Sequence, residues 1–142
     1  MITVEQAKLY RLSKNFTLYE FLHSETATIK GLMHNQMNIT DKDILNLTRL
    51  CEEVLQPLRD HLKKPIKINS GYRSKELNLA IGGSKTSDHM DGKAADIVCS
   101  DMPKAWEFLK GRDFRQLIKY GEFRFIHVSY DQFDNKKQIL FL

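Results

Sequence analysis

The chain has 142 residues, of which 42% are hydrophobic and 28% are charged. This composition excludes a disordered chain, the length indicates one domain, and no apolar run approaches the roughly 20 residues that cross a bilayer. Lys and Arg number 22 against 18 Asp and Glu, a net charge of +4. That charge favours anionic partners such as nucleic acid, a membrane surface or a bacterial cell wall, without choosing among them.

Short helices and loops are predicted before one long helix. Residues 1–15 are expected to form a loosely attached lead-in, and their charges exclude the apolar stretch of a signal peptide. Thr17 is placed to cap a short helix, and residues 23–39 have little periodicity. Apolar side chains recur at spacings of three and four over residues 44–62, which predicts the long helix. Pro57 is expected to kink or divide it.

Strands are predicted mainly in the second half. The alternating or buried segments that indicate strands are residues 66–69, 94–98, 124–130 and 137–142. A short helix over residues 74–80, a loop over 81–93 and a helical segment over 103–119, interrupted near Gly111, complete the assignment. Helices first and strands later predict a single α+β domain, residues 1–142, with a small, mostly antiparallel sheet.

Three residues are candidate metal ligands: His89, Asp96 and His127. Imidazole nitrogen and carboxylate oxygen both suit zinc. Gly92 lets the chain turn sharply, so that His89 in the loop and Asp96 in the next strand can converge. Cys99 falls on the opposite face of that strand from Asp96 and is not counted as a ligand. Three protein ligands leave an open position, as in catalytic zinc sites, where bound water becomes acidic.

Spacing alone leaves ordinary roles open for these residues. Two histidines and an aspartate occur by chance in most chains of this size. His127 is equally compatible with a satisfied strand histidine, His89 with a polar loop residue, and Asp96 with a turn or capping carboxylate.

Several ordered motifs resemble one family. The string SDHMDGKAAD at residues 87–96 fits the pattern S-x-H-x-x-G-x-A-x-D. It resembles the first metal motif of the zinc D-alanyl-D-alanine peptidases, which include cell-wall carboxypeptidases, VanX-type dipeptidases and phage endolysins. Further matching segments are residues 16–21, 55–59, 68–74, 77–78, 82–84 and 127–130. The resemblance extends from about residue 15 to about residue 130.

The resemblance implies a role for each matching residue. His89, Asp96 and His127 would be the zinc ligands in a hedgehog/DD-peptidase-like fold. Arg73 would face the active site, bind substrate and polarise the scissile carbonyl, as a guanidinium can. Ser87 would lie near the metal and hydrogen-bond to substrate or to a ligand.

The general base departs from the family pattern. Many relatives have a glutamate three residues before the last histidine, where this chain has Arg124, and others have a histidine two residues before it, where this chain has Phe125. Glu122 is the nearest carboxylate, and we expect it to swing over the metal as the base. An exposed turn glutamate is the alternative for this residue.

The resemblance implies a zinc metallopeptidase that hydrolyses peptide bonds in peptidoglycan stem peptides, as a D-Ala-D-Ala carboxypeptidase or an endolysin-type endopeptidase. We expect a monomer that binds no nucleic acid and has no membrane span or signal peptide. Because no signal peptide is expected, we expect synthesis in the bacterial cytoplasm. A phage or prophage origin, with release to the cell wall, is compatible with this expectation. The alternative is a non-catalytic zinc-containing module that binds the cell wall.

Overall fold

Helices dominate the first half of the chain and strands the second in the computed structural model, which describes residues 1–142. The helices are α1 (Val4–Leu9), α2 (Leu18–Leu22), α3 (Glu25–Ile29), α4 (Met33–Met37), α5 (Asp41–Leu50), α6 (Gln56–Leu62), α7 (Lys75–Ala80) and α8 (Met102–Lys110). The strands are β1 (Arg11–Ser13), β2 (Phe16–Thr17), β3 (Ile66–Ser70), β4 (Ala94–Cys99), β5 (Gln116–Tyr120), β6 (Phe125–Ser129) and β7 (Gln138–Phe141). None of the helices combines the length and the apolar character that a membrane span requires.

The predicted long helix is divided, as Pro57 suggests. A π-helical segment, Cys51–Leu55, joins α5 to α6, and Gln56 donates its backbone N–H five residues back, to the carbonyl of Cys51. Pro57 removes one backbone donor from this junction. The carbonyl of Glu53, four residues earlier, instead accepts a hydrogen bond from Nη2 of Arg112 at 2.9 Å. A side chain from outside the helix, that of Arg112, therefore satisfies the carbonyl that Pro57 leaves without a helical donor.

The first 15 residues are packed, contrary to the expected loose lead-in. Thr3 and Gln6 form a reciprocal capping box at the start of α1. Ala7 and Leu12 are buried in the same hydrophobic cluster as the central helices. Two buried apolar side chains and a capped helix anchor this segment, so the expectation of loose attachment is corrected.

The five-stranded sheet has the order β3-β4-β6-β5-β7. Its pairs are antiparallel except β5 with β7, which is parallel. The predicted helix over residues 103–119 is wrong in its last part, because α8 ends at Lys110 and residues 116–120 form β5. Leu117 and Ile118 are both buried, one on each face of the sheet, and this two-sided burial favours a strand between two others.

Alternate residues of the central strands face opposite sides of the sheet. Five of them face the helices and join the hydrophobic core: Ala95, Ile97, Leu117, Ile126 and Val128. The intervening Asp96, Ile118 and His127 line a cleft on the other side. The predicted α+β architecture with a small, mostly antiparallel sheet is confirmed, and it presents one face of the sheet for chemistry.

Candidate metal centre

His89, Asp96 and His127 meet on the open face of the sheet; we call them the metal triad. Asp96 on β4 lies directly opposite His127 on β6 in the strand register. Oδ1 of Asp96 is 2.9 Å from Nδ1 of His127 and 3.3 Å from Nε2 of His89. The potential ligand atoms of all three residues lie within 4.8 Å of one another.

A short 3₁₀ turn, Asp88–Asp91, brings His89 to the strands. The hydroxyl of Ser87 accepts a hydrogen bond from the backbone N–H of His89 at 3.3 Å. Gly92 ends the turn with φ +70°, and a Cβ there would lie 2.4 Å from the carbonyl oxygen of Asp43. Only glycine fits this conformation and this close approach. The sequence therefore places a glycine where the chain has to reverse after His89 toward β4.

The ring of His89 is fixed in one tautomer by its surroundings. Its Nδ1 lies 2.7 Å from the carbonyl oxygen of Gly71, which can only accept, so Nδ1 carries the proton. Burial lowers the pKa of His89, which keeps Nε2 unprotonated at neutral pH. The lone pair of Nε2 then faces a carboxylate oxygen of Asp96. A cation between these two acceptors would turn the repulsion into attraction, and the bond from Nδ1 to Gly71 would hold the ring in place for it.

Asp96 supplies the negative charge of the triad. Burial alone would raise the pKa of Asp96, but its hydrogen bond with Nδ1 of His127 holds that pKa well below the ordinary value. Nε2 of His127 is buried without a hydrogen-bond partner. A charged carboxylate, the lone pair of Nε2 of His89 and the ring nitrogen of His127 that faces the carboxylate form a donor set that fits a divalent metal.

Arg73 lies beside the triad, as the motif implies. Its Nη2 is 3.6 Å from Oδ2 of Asp96, while Nε donates to the hydroxyl of Ser70 at 3.1 Å and Nη1 to Oδ1 of Asn78 at 3.3 Å. Burial lowers the pKa of Arg73 and the charge of Asp96 opposes that effect. The guanidinium is therefore positioned at the cleft by three partners.

A cleft of about 560 Å³ surrounds the triad and includes Arg73 and Ser87. The β5–β6 pair contributes Tyr120 and Phe125, whose rings stack with centroids 4.3 Å apart. Phe125 thus occupies the cleft with an apolar ring at the position where some relatives have a histidine. The volume is in the range of small-molecule and peptide sites.

The structure does not bring Glu122 to the triad. This residue lies in the turn between β5 and β6, its side chain is 98% exposed, and its carboxylate is 3.8 Å from Nζ of Lys119. It is not among the residues that line the cleft. The neighbouring Arg124 is exposed as well. The carboxylate that does line the cleft, apart from the triad, is Asp88.

Gln36 is a buried residue beside the site that sequence reasoning misses. Its fully buried side chain donates from Nε2 to the carbonyls of Leu22 and Tyr72, at 3.0 and 2.8 Å, and accepts from the backbone N–H of Ser74 at 2.7 Å. Tyr72 and Ser74 flank Arg73, so Gln36 fixes the backbone on both sides of it. A glutamine in a weakly periodic segment gives no local signal of this role.

Comparison with known proteins agrees with this geometry. The family model described as Peptidase M15 matches residues 14–129, most of the chain and all of the site residues described above. A search of curated proteins gives no significant match. The chain therefore belongs to the peptidase M15 family, whose members are metal-dependent peptidases.

Proposed function

We propose that this protein is a zinc metallopeptidase that hydrolyses peptide bonds in peptidoglycan stem peptides. The observation that carries the proposal is the metal triad in a cleft with Arg73, within a chain of the peptidase M15 family. His89, Asp96 and His127 would hold the zinc. When bound, zinc is a Lewis acid that activates water and polarises a carbonyl.

Arg73 orients the substrate in this proposal. Its guanidinium is held by Ser70 and Asn78 and still faces the cleft. Fixed N–H donors next to a reacting carbonyl stabilise the negative charge that develops on its oxygen. Because the partners of Arg73 are already in place, little reorganisation is needed when substrate binds.

Proton transfer needs a group near the scissile bond that can accept and return a proton, and Asp88 is the better placed of the two carboxylates considered. It lines the cleft, directly precedes His89 and pairs with Arg115 at 3.6 Å. Glu122, the sequence-based candidate, is exposed outside the cleft. We propose that Oδ of Asp88 takes the proton from water and returns it to the leaving amine.

The proposal for which bond is cut rests on the family resemblance. D-Ala-D-Ala carboxypeptidase action and endolysin-type endopeptidase action both fit an open cleft, and we propose that the protein acts as a monomer. The second candidate function is a zinc-containing module that binds cell-wall peptides without turnover. The exposed position of Glu122 and the apolar Phe125 favour this second candidate.

The test is incubation of zinc-loaded protein with defined muropeptides, read by mass spectrometry. We expect a stem peptide to lose a residue or to split, and we expect His89→Ala to abolish both the cleavage and the stoichiometric zinc. His34→Ala removes a histidine outside the cleft and serves as the matched control. Stoichiometric zinc without cleavage by the parent protein would support the binding module instead.

A further inference from the structure

The segment that carries Arg73 is largely buried but belongs to no helix or strand. Residues 71–74 connect β3 to α7, and Gly71, Tyr72 and Ser74 are buried. Helices and strands pair their own backbone groups, whereas buried irregular backbone needs partners from elsewhere, because an unpaired N–H or C=O away from water costs free energy. The conformation of this segment is therefore set by the groups that bond to it.

Partners hold the segment from two sides. On the side of the metal triad, Nδ1 of His89 donates to the carbonyl of Gly71 at 2.7 Å, and the N–H of Arg73 donates to the carbonyl of His89 at 3.0 Å. On the side of the helices, the N–H of Tyr72 donates to the carbonyl of Phe21 at 2.8 Å. A metal ligand and the guanidinium of Arg73 are thus joined through one short piece of backbone.

Gln36 completes the hold on the helix side. Its Nε2 donates to the carbonyl of Tyr72 at 2.8 Å, and its Oε1 accepts from the N–H of Ser74 at 2.7 Å. These groups belong to the two peptide planes that meet at the Cα of Arg73. Because a residue has only two soft backbone dihedrals, fixing both planes fixes the direction in which the side chain of Arg73 leaves the backbone. A bond to the carbonyl of Leu22 at 3.0 Å orients the amide of Gln36 itself.

The guanidinium of Arg73 is sensitive to that direction. Ser70 and Asn78 accept hydrogen bonds from two of its nitrogens, and Nη2 lies 3.6 Å from Oδ2 of Asp96. The side chain is long, so a small rotation at Cα displaces the guanidinium by a larger distance. A misplacement of about 1 Å at a reacting group can lower a rate by about 100-fold.

We propose that Gln36 is a positioning residue for the reaction, which sets the guanidinium of Arg73 beside the metal triad by holding both peptide planes at Arg73. Gln36 contacts neither substrate nor metal in this role. The inference rests on the proposed peptidase function. The alternative is that Gln36 only stabilises the fold, in which case a folded variant would have the kinetics of the parent.

The experiment compares two neighbouring buried positions of α4. Gln36→Met removes the amide at similar length, and Met37→Ala is the matched control, because Met37 packs in the hydrophobic core and does not line the cleft. Zinc-loaded proteins are assayed well below their melting temperatures on a muropeptide that the parent cleaves. We expect Gln36→Met to lower kcat/KM about tenfold or more and Met37→Ala to stay within about twofold of the parent.

Equal losses in these two variants would show that Gln36 acts through stability alone and would overturn the proposal. If Gln36→Met does not fold, Gln36→Asn takes its place, since its amide is one carbon too short to bond to both peptide planes. The same loss is expected for that variant.

A double-mutant cycle tests whether the effect passes through Arg73. In an Arg73→Ala background no guanidinium remains to be positioned, so adding Gln36→Met should lower the residual kcat/KM by less than about twofold. A tenfold loss in that background as well would refute the proposal, because Gln36 would then act by another route.

A readout that needs no cleavage keeps this inference apart from the peptidase proposal. The Nε–H signal of Arg73 in a ¹H–¹⁵N spectrum, assigned with Arg73→Ala, reports the bond to Ser70. We expect Gln36→Met to move this signal and Met37→Ala to leave it in place. An unmoved signal in Gln36→Met would overturn the inference and leave the peptidase function standing. A moved signal in a protein whose parent cuts no stem peptide would refute the peptidase function and still support Gln36 as the residue that positions Arg73.

Discussion

The metal triad contains buried polar atoms whose hydrogen-bonding or charge is not fully compensated by the protein. His89 has its proton committed to Gly71, and Nε2 of His127 has no partner at all. Asp96 remains charged although it is buried. Buried groups of this kind cost free energy unless a ligand compensates them. The triad therefore lowers the local stability of the metal-free protein and presents ligand atoms already arranged for a metal.

Proton transfer gives a prediction at this scale. Asp88→Asn is expected to lower kcat about 100-fold or more with little effect on zinc stoichiometry, because it removes the cleft carboxylate and preserves its size. Glu122→Gln is the matched control and should stay within about twofold of the parent, since its side chain is 98% exposed. Steady-state kinetics on a cleaved muropeptide measure both. The reverse ranking would restore Glu122 as the base.

Short elements hold the site residues, and several of their ends are fixed by side chains. Ser74 accepts a hydrogen bond from the N–H of Leu77 at the start of α7, and Thr40 does the same for Asp43 at the start of α5. Such caps are worth about 1 kcal/mol each. Because the 3₁₀ turn that carries His89 has only four residues, its geometry depends more on its two ends than on its own hydrogen bonds.

Two glycines with the same backbone conformation give a prediction for this turn. Gly92→Ala is expected to destabilise the protein by about 2–4 kcal/mol, because a left-handed conformation and a clash with backbone add together. Gly82 also has φ +70°, but no atom lies within 4 Å of the place a Cβ would take, so Gly82→Ala should cost about 1 kcal/mol. Urea unfolding compares the two. Equal losses would show that the contact with Asp43 is not limiting.

Sequence patterns predict the elements that have local signals and fail where distant residues decide. Thr17, Thr40 and Ser74 begin helices where their types predict, and the motif glycine Gly92 makes the turn it implies. Residues 116–120 form a strand because β6 and β7 pair with both of their sides. No local pattern reports that pairing.

The same limit applies within the site. The triad and Arg73 stand in motifs, so their convergence could be predicted. Gln36 instead hydrogen-bonds to the backbone of Tyr72 and Ser74, which lie 36 and 38 positions later in the chain. Glu122 is a candidate base only through its distance along the chain from His127. The direction of the β5–β6 turn, which sequence spacing does not encode, leaves it in solvent.

The whole molecule should respond to the metal as one unit. The triad joins the 3₁₀ turn to β4 and β6, so a ligand there cross-links segments that must separate on unfolding. Ligands that bind only the folded chain stabilise it by mass action. Stability and metal occupancy are therefore linked in this protein.

Zinc at 100 times its dissociation constant is expected to raise the melting temperature by about 10 °C at pH 7.5, and a chelator should reverse the shift. The shift should shrink as the pH falls, because protons compete with the metal for its ligand atoms. Burial lowers the pKa of His89, so its competition begins at lower pH than that of an exposed histidine. Calorimetry measures the shift, which Asp96→Asn should abolish. A shift that persists in that variant would locate the metal elsewhere.

The strict alternation of core and cleft residues along β6 has a consequence for how such a protein changes over time. Ile126 and Val128 face the helices and His127 faces the cleft, one residue apart. A one-residue insertion or deletion would exchange the two sets, so that the fold and the chemistry fail together. Substitution at cleft-facing positions such as Gln116 and Gln138 leaves the helix-facing set untouched. Point mutations at cleft-facing positions can therefore change specificity without disturbing the core, whereas insertions or deletions within the central strands cannot be tolerated.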